Sequence, residues 1–338
     1  MNVNENVVKI DYPAPVQINV DPLSEVLNKN HPLMDWPDNA GGMPNLFNRS
    51  SIFAAEKSDN TYFNNQAILS YVKDYEITYT GPALDKRDYQ VFQLCLHAGK
   101  NSQVEMGRLL RIYPSEWFKI LKRTDNGRSR DELYNSLKKL TAATVNVLKY
   151  SDGRKHQVSG SLLSVAYREE MIINDNGMVS KNEKPSKRDI KWLIAVNPYT
   201  KDLFLGDMTL LDIHRSANIK SHLGLWLHDF YSSHQKPIAI DIRKLYNLSG
   251  SKGKIGHFTQ SLKENLDKLI TFGLIKEYSI EEKSKTEKLL KVVKASNSPN
   301  VGPYKIENNT INKNTENRKA HVSKAIKDIM ESRKKVSL

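Results

Sequence analysis

The segment from Ile255 to Gly273 limits the possible folds of this chain more than any other segment does. Its apolar residues recur with helical spacing, so one side of a long helix must face a core. Gly273 ends the pattern, and two strand-like stretches, 274–282 and 287–295, follow around a basic turn. This order predicts a small unit in which a helix packs beside a two-stranded ribbon. The apolar positions of the helix are Ile255, Phe258, Leu262, Leu266 and Leu269.

The order helix, helix, helix, two-stranded ribbon is predicted twice along the chain. In the first copy the helical stretches are 86–99, 104–114 and 131–148, and the strand patterns 145–150 and 161–172 suggest a hairpin. Residues 201–295 repeat the order, although not the sequence. Because this is the order of a winged helix-turn-helix domain, the predicted fold class is α+β with two such domains in tandem.

Proline, glycine and charge suggest where these domains begin and end. Residues 1–60 carry six prolines and Gly41-Gly42, which predict a mostly extended, flexible N-terminal arm. The first domain is predicted at 61–200 and the second at 201–295. Residues 296–338 are rich in Asn and Lys and predict a basic, flexible tail.

The charge balance favours an anionic partner. The net charge is +13, while residues 1–60 hold 4 basic and 8 acidic side chains, so the excess lies in the folded part. Nucleic acid is the first candidate and a membrane surface the second. No apolar run approaches the length of a membrane span, and the N-terminus lacks a signal-peptide pattern. One cysteine, Cys95, fits a reducing cytoplasm.

The polar side of the helix at 255–273 could read DNA. A recognition helix packs one face on its core and places the other in the major groove, which is about 12 Å wide. Lys252 and Lys254 precede this helix, where they could contact phosphates. A solvated polar face gives the same pattern, so both interpretations stay open. The polar positions are His257, Gln260, Ser261 and Glu264.

The first unit has a similar helix after the turn Asp125-Asn126-Gly127. Its candidate DNA-binding residues are Arg128, Asn135 and Lys139, which share a stripe with Glu132. Both predicted hairpin tips are basic and could touch backbone or minor groove, although solvated turns would look the same. The tip residues are Arg154, Lys155, Lys283 and Lys285.

Several short motifs in order resemble the TrfA-type plasmid replication initiators. The likeness covers about residues 33–295. In the first part its motifs are Trp36-Pro37-Asp38, Met43-Pro44-Asn45, the run 49–53 and the run 76–81. In the second part they are Tyr231-Ser232-Ser233-His234 with Pro237, Gly250-Ser251, the long helix and Gly273-Leu274-Ile275.

The resemblance implies a plasmid replication initiator that binds double-stranded iteron repeats and opens a neighbouring A+T-rich segment. It implies recruitment of the host replicative helicase with its loader or initiator, and of the sliding clamp. It also implies a monomer–dimer equilibrium, and single-stranded origin DNA is a further candidate ligand. The family's clamp-binding stretch falls on Ile52-Phe53, with Leu46-Phe47 as a rival and core docking of the pair as the alternative interpretation. A winged-helix transcriptional repressor remains the alternative function.

The sequence offers no convincing active site, cofactor site or metal site. His214, His222, His228 and His234 lack a Cys or carboxylate at tight metal-ligand spacing. The adjacent pairs Glu169-Glu170 and Glu281-Glu282 point to opposite faces of a strand. We therefore expect a protein that is not an enzyme. The resemblance implies that it is bacterial, plasmid-associated and cytoplasmic.

Overall fold

Two successive groups of helices and strands surround two apolar cores. The computed structural model describes residues 40–71, 75–102, 106–151, 154–170, 190–204, 208–284, 287–295 and 302–304. All of these lie in one compact unit, Leu33–Leu338. The first core takes buried residues from Ala40 to Ile213, and the second takes Ala55 and residues from Leu223 to Val292.

The first group of elements ends with a 3-10 turn, Pro198–Phe204. Its helices are α1 (Asn45–Asn48), α2 (Lys86–Ser102), α3 (Pro114–Ile120) and α4 (Gly127–Ala142). Its strands are β1 (Ala40–Pro44), β2 (Phe53–Ala54), β3 (Tyr62–Ala67), β4 (Tyr75–Pro82), β5 (Leu84–Asp85), β6 (Leu110–Ile112), β7 (Thr144–Ser151), β8 (Arg154–Ser161), β9 (Leu163–Glu170) and β10 (Ile190–Val196). Two of its sheets have the strand orders β3-β4-β7-β8 and β6-β10-β9.

Helix α4 follows directly from its sequence. Asn126 caps it, because its side-chain oxygen accepts a hydrogen bond of 2.9 Å from the backbone N–H of Ser129. Leu133, Leu137 and Leu140 form one stripe and are buried. The predicted helix is thus confirmed, but it ends at Ala142 rather than 148, because residues from Thr144 onward form strand β7.

The helix predicted at 104–114 is wrong in its described part. Leu110 and Ile112 are buried and Arg111 is exposed, which is the alternation of a strand, and these residues form β6. Pro114 begins α3 rather than ending a helix, since the first helical position needs no N–H donor. Gly99 likewise lies inside α2, which continues to Ser102.

The hairpin predicted between 145–150 and 161–172 is also wrong. Strand β7 pairs with β8, and Ser151 lies opposite Arg154. The sequence between these two residues is Asp-Gly, a dipeptide that favours two-residue hairpins. Strand β9 pairs instead with β10.

The second group of elements runs from β11 to β14. Its helices are α5 (Ile213–Ser216), α6 (His222–Ser232), α7 (Ile242–Leu248) and α8 (Ile255–Thr271). Its strands are β11 (Met208–Asp212), β12 (Ile240–Asp241), β13 (Ile275–Glu282) and β14 (Lys288–Lys294). The last three strands form an antiparallel sheet in the order β12-β14-β13. From the predicted tail, Gly302–Tyr304 is described and forms β15, which pairs with β11.

The apolar stripe predicted for α8 is confirmed except at its first position. Phe258, Leu262, Leu266 and Leu269 are buried in the second core, whereas Ile255 is 38% exposed. Gly273 has φ +77°, a left-handed conformation that glycine adopts without strain, and the chain turns there into β13.

Residues 40–60 do not form a loose arm. Strand β1 pairs antiparallel with β11 from Ala40–Asp212 to Pro44–Met208. Met43, Phe47 and Phe53 are completely buried. The predicted extended arm is therefore wrong for 40–60, because its apolar residues belong to the core, while 1–39 lies outside the described residues.

The two candidate clamp-binding pairs are part of this core. Ile52 is 4% exposed and Phe53 0%, and Leu46 and Phe47 are similarly buried. The Phe53 ring lies 5.5 Å from that of Phe47 and 5.4 Å from that of Tyr89 in edge contacts. A clamp-binding peptide must expose its side chains, so neither pair is available for that role in this fold. The structure matches the alternative in which Ile52 and Phe53 dock the segment.

A buried ion pair joins α2 of the first group to α6 of the second. Lys86 Nζ lies 2.5 Å from Asp229 Oδ2, and the side chains are 1% and 4% exposed. The same Nζ is 3.3 Å from the centroid of the Tyr89 ring. His228 Nδ1 lies 2.8 Å from Asp229 Oδ1, so both carboxylate oxygens have a partner.

The pair makes the contact between the two groups sensitive to acid. Burial alone would raise the pKa of Asp229, but Lys86 and His228 hold that pKa below its ordinary value of 3.8. Because the folded pKa is the lower one, the stabilisation is complete above the unfolded pKa. It is lost as the pH falls through the folded pKa.

Asp229→Asn should destabilise the protein by about 3–5 kcal/mol, because it leaves the Lys86 ammonium buried without an opposite charge. Adding Lys86→Met should restore much of the loss. Urea denaturation at neutral pH measures both. The exposed pair Arg128–Glu132 is the matched control, and Glu132→Gln should cost at most about 1 kcal/mol. A comparably small loss for Asp229→Asn would contradict this account.

Phe53→Ala should cost about 3–5 kcal/mol of stability by removing a fully buried ring. The exposed neighbour Lys57→Ala should change stability by less than about 0.5 kcal/mol. Thermal or urea unfolding checks both variants. Unchanged stability of Phe53→Ala together with lost binding to a sliding clamp would restore the clamp-binding interpretation.

Candidate nucleic-acid interface

The exposed face of α8 carries the polar residues predicted to read bases. His257, Gln260 and Glu264 are exposed, and Ser261 is half-buried. Gln260 Nε2 donates a hydrogen bond of 3.1 Å to Glu264 Oε1. This bond fixes the amide of Gln260, while its carbonyl oxygen and second N–H keep the capacity to bond a base edge.

The start of α8 is suited to an anion. Lys254 is exposed and precedes the helix, and no acidic residue lies in the first turn. Unpaired N–H groups and the helix dipole favour negative charge at such an end. The preceding loop needs glycine at Gly250 and Gly253, whose φ angles are +64° and +87°. Tyr246 holds the loop by donating a hydrogen bond of 2.8 Å to the Gly253 carbonyl.

Lys252 lies in the same loop but already has two anionic partners. Its backbone N–H donates to Glu56 Oε1 at 2.6 Å, and its Nζ lies 2.7 Å from Asp59 Oδ2. These partners are nearly 200 positions away along the chain. No local sequence pattern could have revealed them.

The ribbon of β13 and β14 flanks α8. Tyr278 of β13 donates a hydrogen bond of 3.0 Å to Asp267 Oδ1 and so ties the ribbon to the helix. At the tip, Lys283 is 56% exposed and lies 4.0 Å from Glu287, a long and weak pairing. Lys285, also predicted here, lies outside the described residues.

The first group presents a smaller polar face on α4. Arg128 and Asn135 are exposed, and Arg128 Nε lies 3.1 Å from Glu132 Oε1. Lys155 is exposed near the β7–β8 tip, whereas the side chain of Arg154 lies outside the described part. The predicted faces of α4 and α8 therefore both reach the surface.

Lys139 differs from the other predicted residues of α4. Its side chain is only 22% exposed, and its amine pairs with the buried carboxylate of Asp88 and bonds Ser58 Oγ at 2.8 Å. Burial raises the pKa of Asp88, and Lys139 opposes that shift. The predicted DNA contact is therefore wrong for Lys139, because its ammonium is already paired with the buried Asp88 carboxylate. Lys139 is not part of the candidate interface.

The part of the chain that the structure describes shows no group of His, Cys, Asp and Glu side chains that could hold a metal ion. Within the same residues, no helix is both long and apolar enough to cross a membrane. What the described surface does present is two polar helix faces with basic loops beside them.

These features together define a candidate DNA-binding surface. Residues 19–285 match the family model described as TrfA protein, so the chain belongs to the TrfA family. Membership confirms the resemblance seen in the sequence and supports a role in the initiation of plasmid replication. No curated relative matches the chain.

Solved structures with a partly similar chain path include domains 2 and 3 of RctB. The selenomethionine form is 11% identical with a TM-score of 0.47, covering 70% of this chain and 93% of that chain. A second structure, of RctB residues 155–483, is 12% identical with a TM-score of 0.47, covering 72% and 95%.

Proposed function

We propose that this protein is a non-enzymatic plasmid replication initiator that binds iteron DNA through two winged helix-turn-helix units. The observation that carries the proposal is α8, whose buried apolar stripe and exposed polar face belong to one helix with an open, basic start. The sheet order β12-β14-β13 with α6, α7 and α8 is the arrangement expected of such a unit. Membership of the TrfA family supports the same function.

In this proposal α8 lies in the major groove. Gln260 is suited to adenine, which offers a donor and an acceptor on one edge, and Glu264 to the amino group of cytosine. Lys254 and Lys283 would contact phosphates on either side and set the register. His257 faces the same way and would add a third contact to the base edges.

The first group of elements would supply a second contact with the DNA. Arg128 and Asn135 lie on the exposed face of α4, with Lys155 on the neighbouring ribbon. The net charge of +13 would add affinity for any DNA, independent of sequence. Because the two reading faces carry different side chains, they suit two different parts of one repeat.

The later steps rest on the family. Opening of the A+T-rich segment would draw on binding energy rather than ATP, with single-stranded origin DNA as a further ligand. Recruitment of the helicase with its loader and of the sliding clamp, and a monomer–dimer equilibrium, are included in the proposal without assigned residues. The expected location is the bacterial cytoplasm.

DNase footprinting of the purified protein on the replicon that encodes it, with permanganate to detect unpaired thymines, tests the proposal. We expect protection of evenly spaced direct repeats and reactive thymines beside them. Protection of one palindromic promoter site without reactive thymines would replace the initiator with a transcriptional repressor. Metal-dependent strand cleavage would contradict the non-enzymatic role.

Gln260→Ala should weaken binding by roughly 1–3 kcal/mol at one base pair of the repeat and relax specificity there. Gln235→Ala removes an exposed glutamine side chain from the loop after α6 and should leave binding unchanged. Affinities for repeats substituted at each base pair measure both. An equal loss on all sequences would remove Gln260 from base reading.

A further inference from the structure

Residues 54–59, which we call the strap, hold the loop that leads into α8. The backbone N–H of Ala55 donates a hydrogen bond of 2.7 Å to the Ser249 carbonyl. A side chain at Gly250 would meet Ala54 at 3.1 Å, so the two segments are in close contact. Lys252 then donates its backbone N–H to Glu56 Oε1 and its amine to Asp59 Oδ2.

The strap is anchored at its other side to the first group of elements. The backbone N–H and the hydroxyl of Ser58 donate to Asp85 Oδ2 at 2.8 and 2.9 Å. Lys139 of α4 donates to the same hydroxyl at 2.8 Å. Glu56 and Asp59 are therefore presented to Lys252 from a held segment, not from a freely moving chain.

The chemistry of this contact is that of a bound phosphate. Two anionic oxygens accept from the backbone N–H and the ammonium of one residue, at 2.6 and 2.7 Å. DNA phosphates accept hydrogen bonds from both kinds of donor, the backbone N–H and the lysine ammonium. The hydrogen bond from Lys252 and those from Thr61 hold the pKa of Asp59 well below its usual range, so the carboxylate is charged at neutral pH.

We propose that Lys252 forms a DNA phosphate site and that Glu56 and Asp59 occupy this site in the free protein as internal competitors. The inference rests on the proposed function, because it requires α8 to approach DNA. Binding would exchange these carboxylates for a phosphate, so the strap lowers the affinity of α8 for any duplex. Lys252 and Asp59 are 59% and 51% exposed, which makes the exchange easy and its cost small.

The test is a double-mutant cycle that joins Asp59→Asn to Lys252→Gln. Binding to a fluorescent random-sequence duplex is measured by anisotropy at about 50 mM and about 200 mM salt. Asn keeps an oxygen for the N–H of Thr61, so the local fold is retained, and thermal melting verifies this. Glu56→Gln is the second variant, and Glu277→Gln on β13 is the control for the loss of one exposed negative charge.

We expect Asp59→Asn to bind the duplex roughly two- to fivefold more tightly at low salt, with a smaller gain at high salt. The gain should disappear when Lys252→Gln is also present, and Glu56→Gln should act in the same direction. A gain that persists with Lys252→Gln, or one matched by Glu277→Gln, would show a general charge effect and overturn the proposal. No gain would overturn it as well. Failure of every variant to bind any duplex would instead reject the proposed function together with this inference.

Discussion

The ion pair between Lys86 and Asp229 is the constraint on which the contact between the two cores depends. Each charge alone would be costly to bury, so each is tolerated only while the other faces it. Lys86 comes from α2 of the first group and Asp229 from α6 of the second. Separating the two groups without exposing these charges to water would leave the Lys86 ammonium without Asp229, and Asp229 with His228 alone. The pair therefore favours the arrangement of α2 and α6 in which the two charges face each other.

Residues 40–60 strengthen the same arrangement. Strand β1 extends the chain along β11, and Phe53 fills the first core while Ala55 reaches the second. Arg49 Nε donates to Ser233 Oγ at 3.0 Å, and Trp226 Nε1 donates to the Ser50 carbonyl at 3.2 Å. Residues 40–60, which include motifs that resemble TrfA-type proteins, thus contact both groups of elements and hold them together.

Local patterns predicted what depends on local interactions. The stripe of α8, the cap of α4 and the turn at Gly273 follow from neighbours three or four residues apart. The patterns failed where distant residues decide. In the sequence, Phe53 resembles part of an exposed binding motif, but in the structure it is buried in the first core. Lys139 resembles a cation that faces the DNA groove, but its amine pairs with Asp88. Prolines in 1–60 suggested a loose arm, because nothing local reveals that β11 supplies the pairing partner.

Interactions that do not themselves contact DNA therefore position the candidate interface. Ser58 of the strap contacts α4 through Lys139, and Glu56 and Asp59 contact the loop before α8 through Lys252. Under the proposed function, the two reading helices would be held at one separation by this strap and by the Lys86–Asp229 pair. A fixed separation lets a protein require a fixed spacing of its contact sites along the duplex. Under the proposed function, the duplex would therefore have to present its two contact sites at one constant spacing.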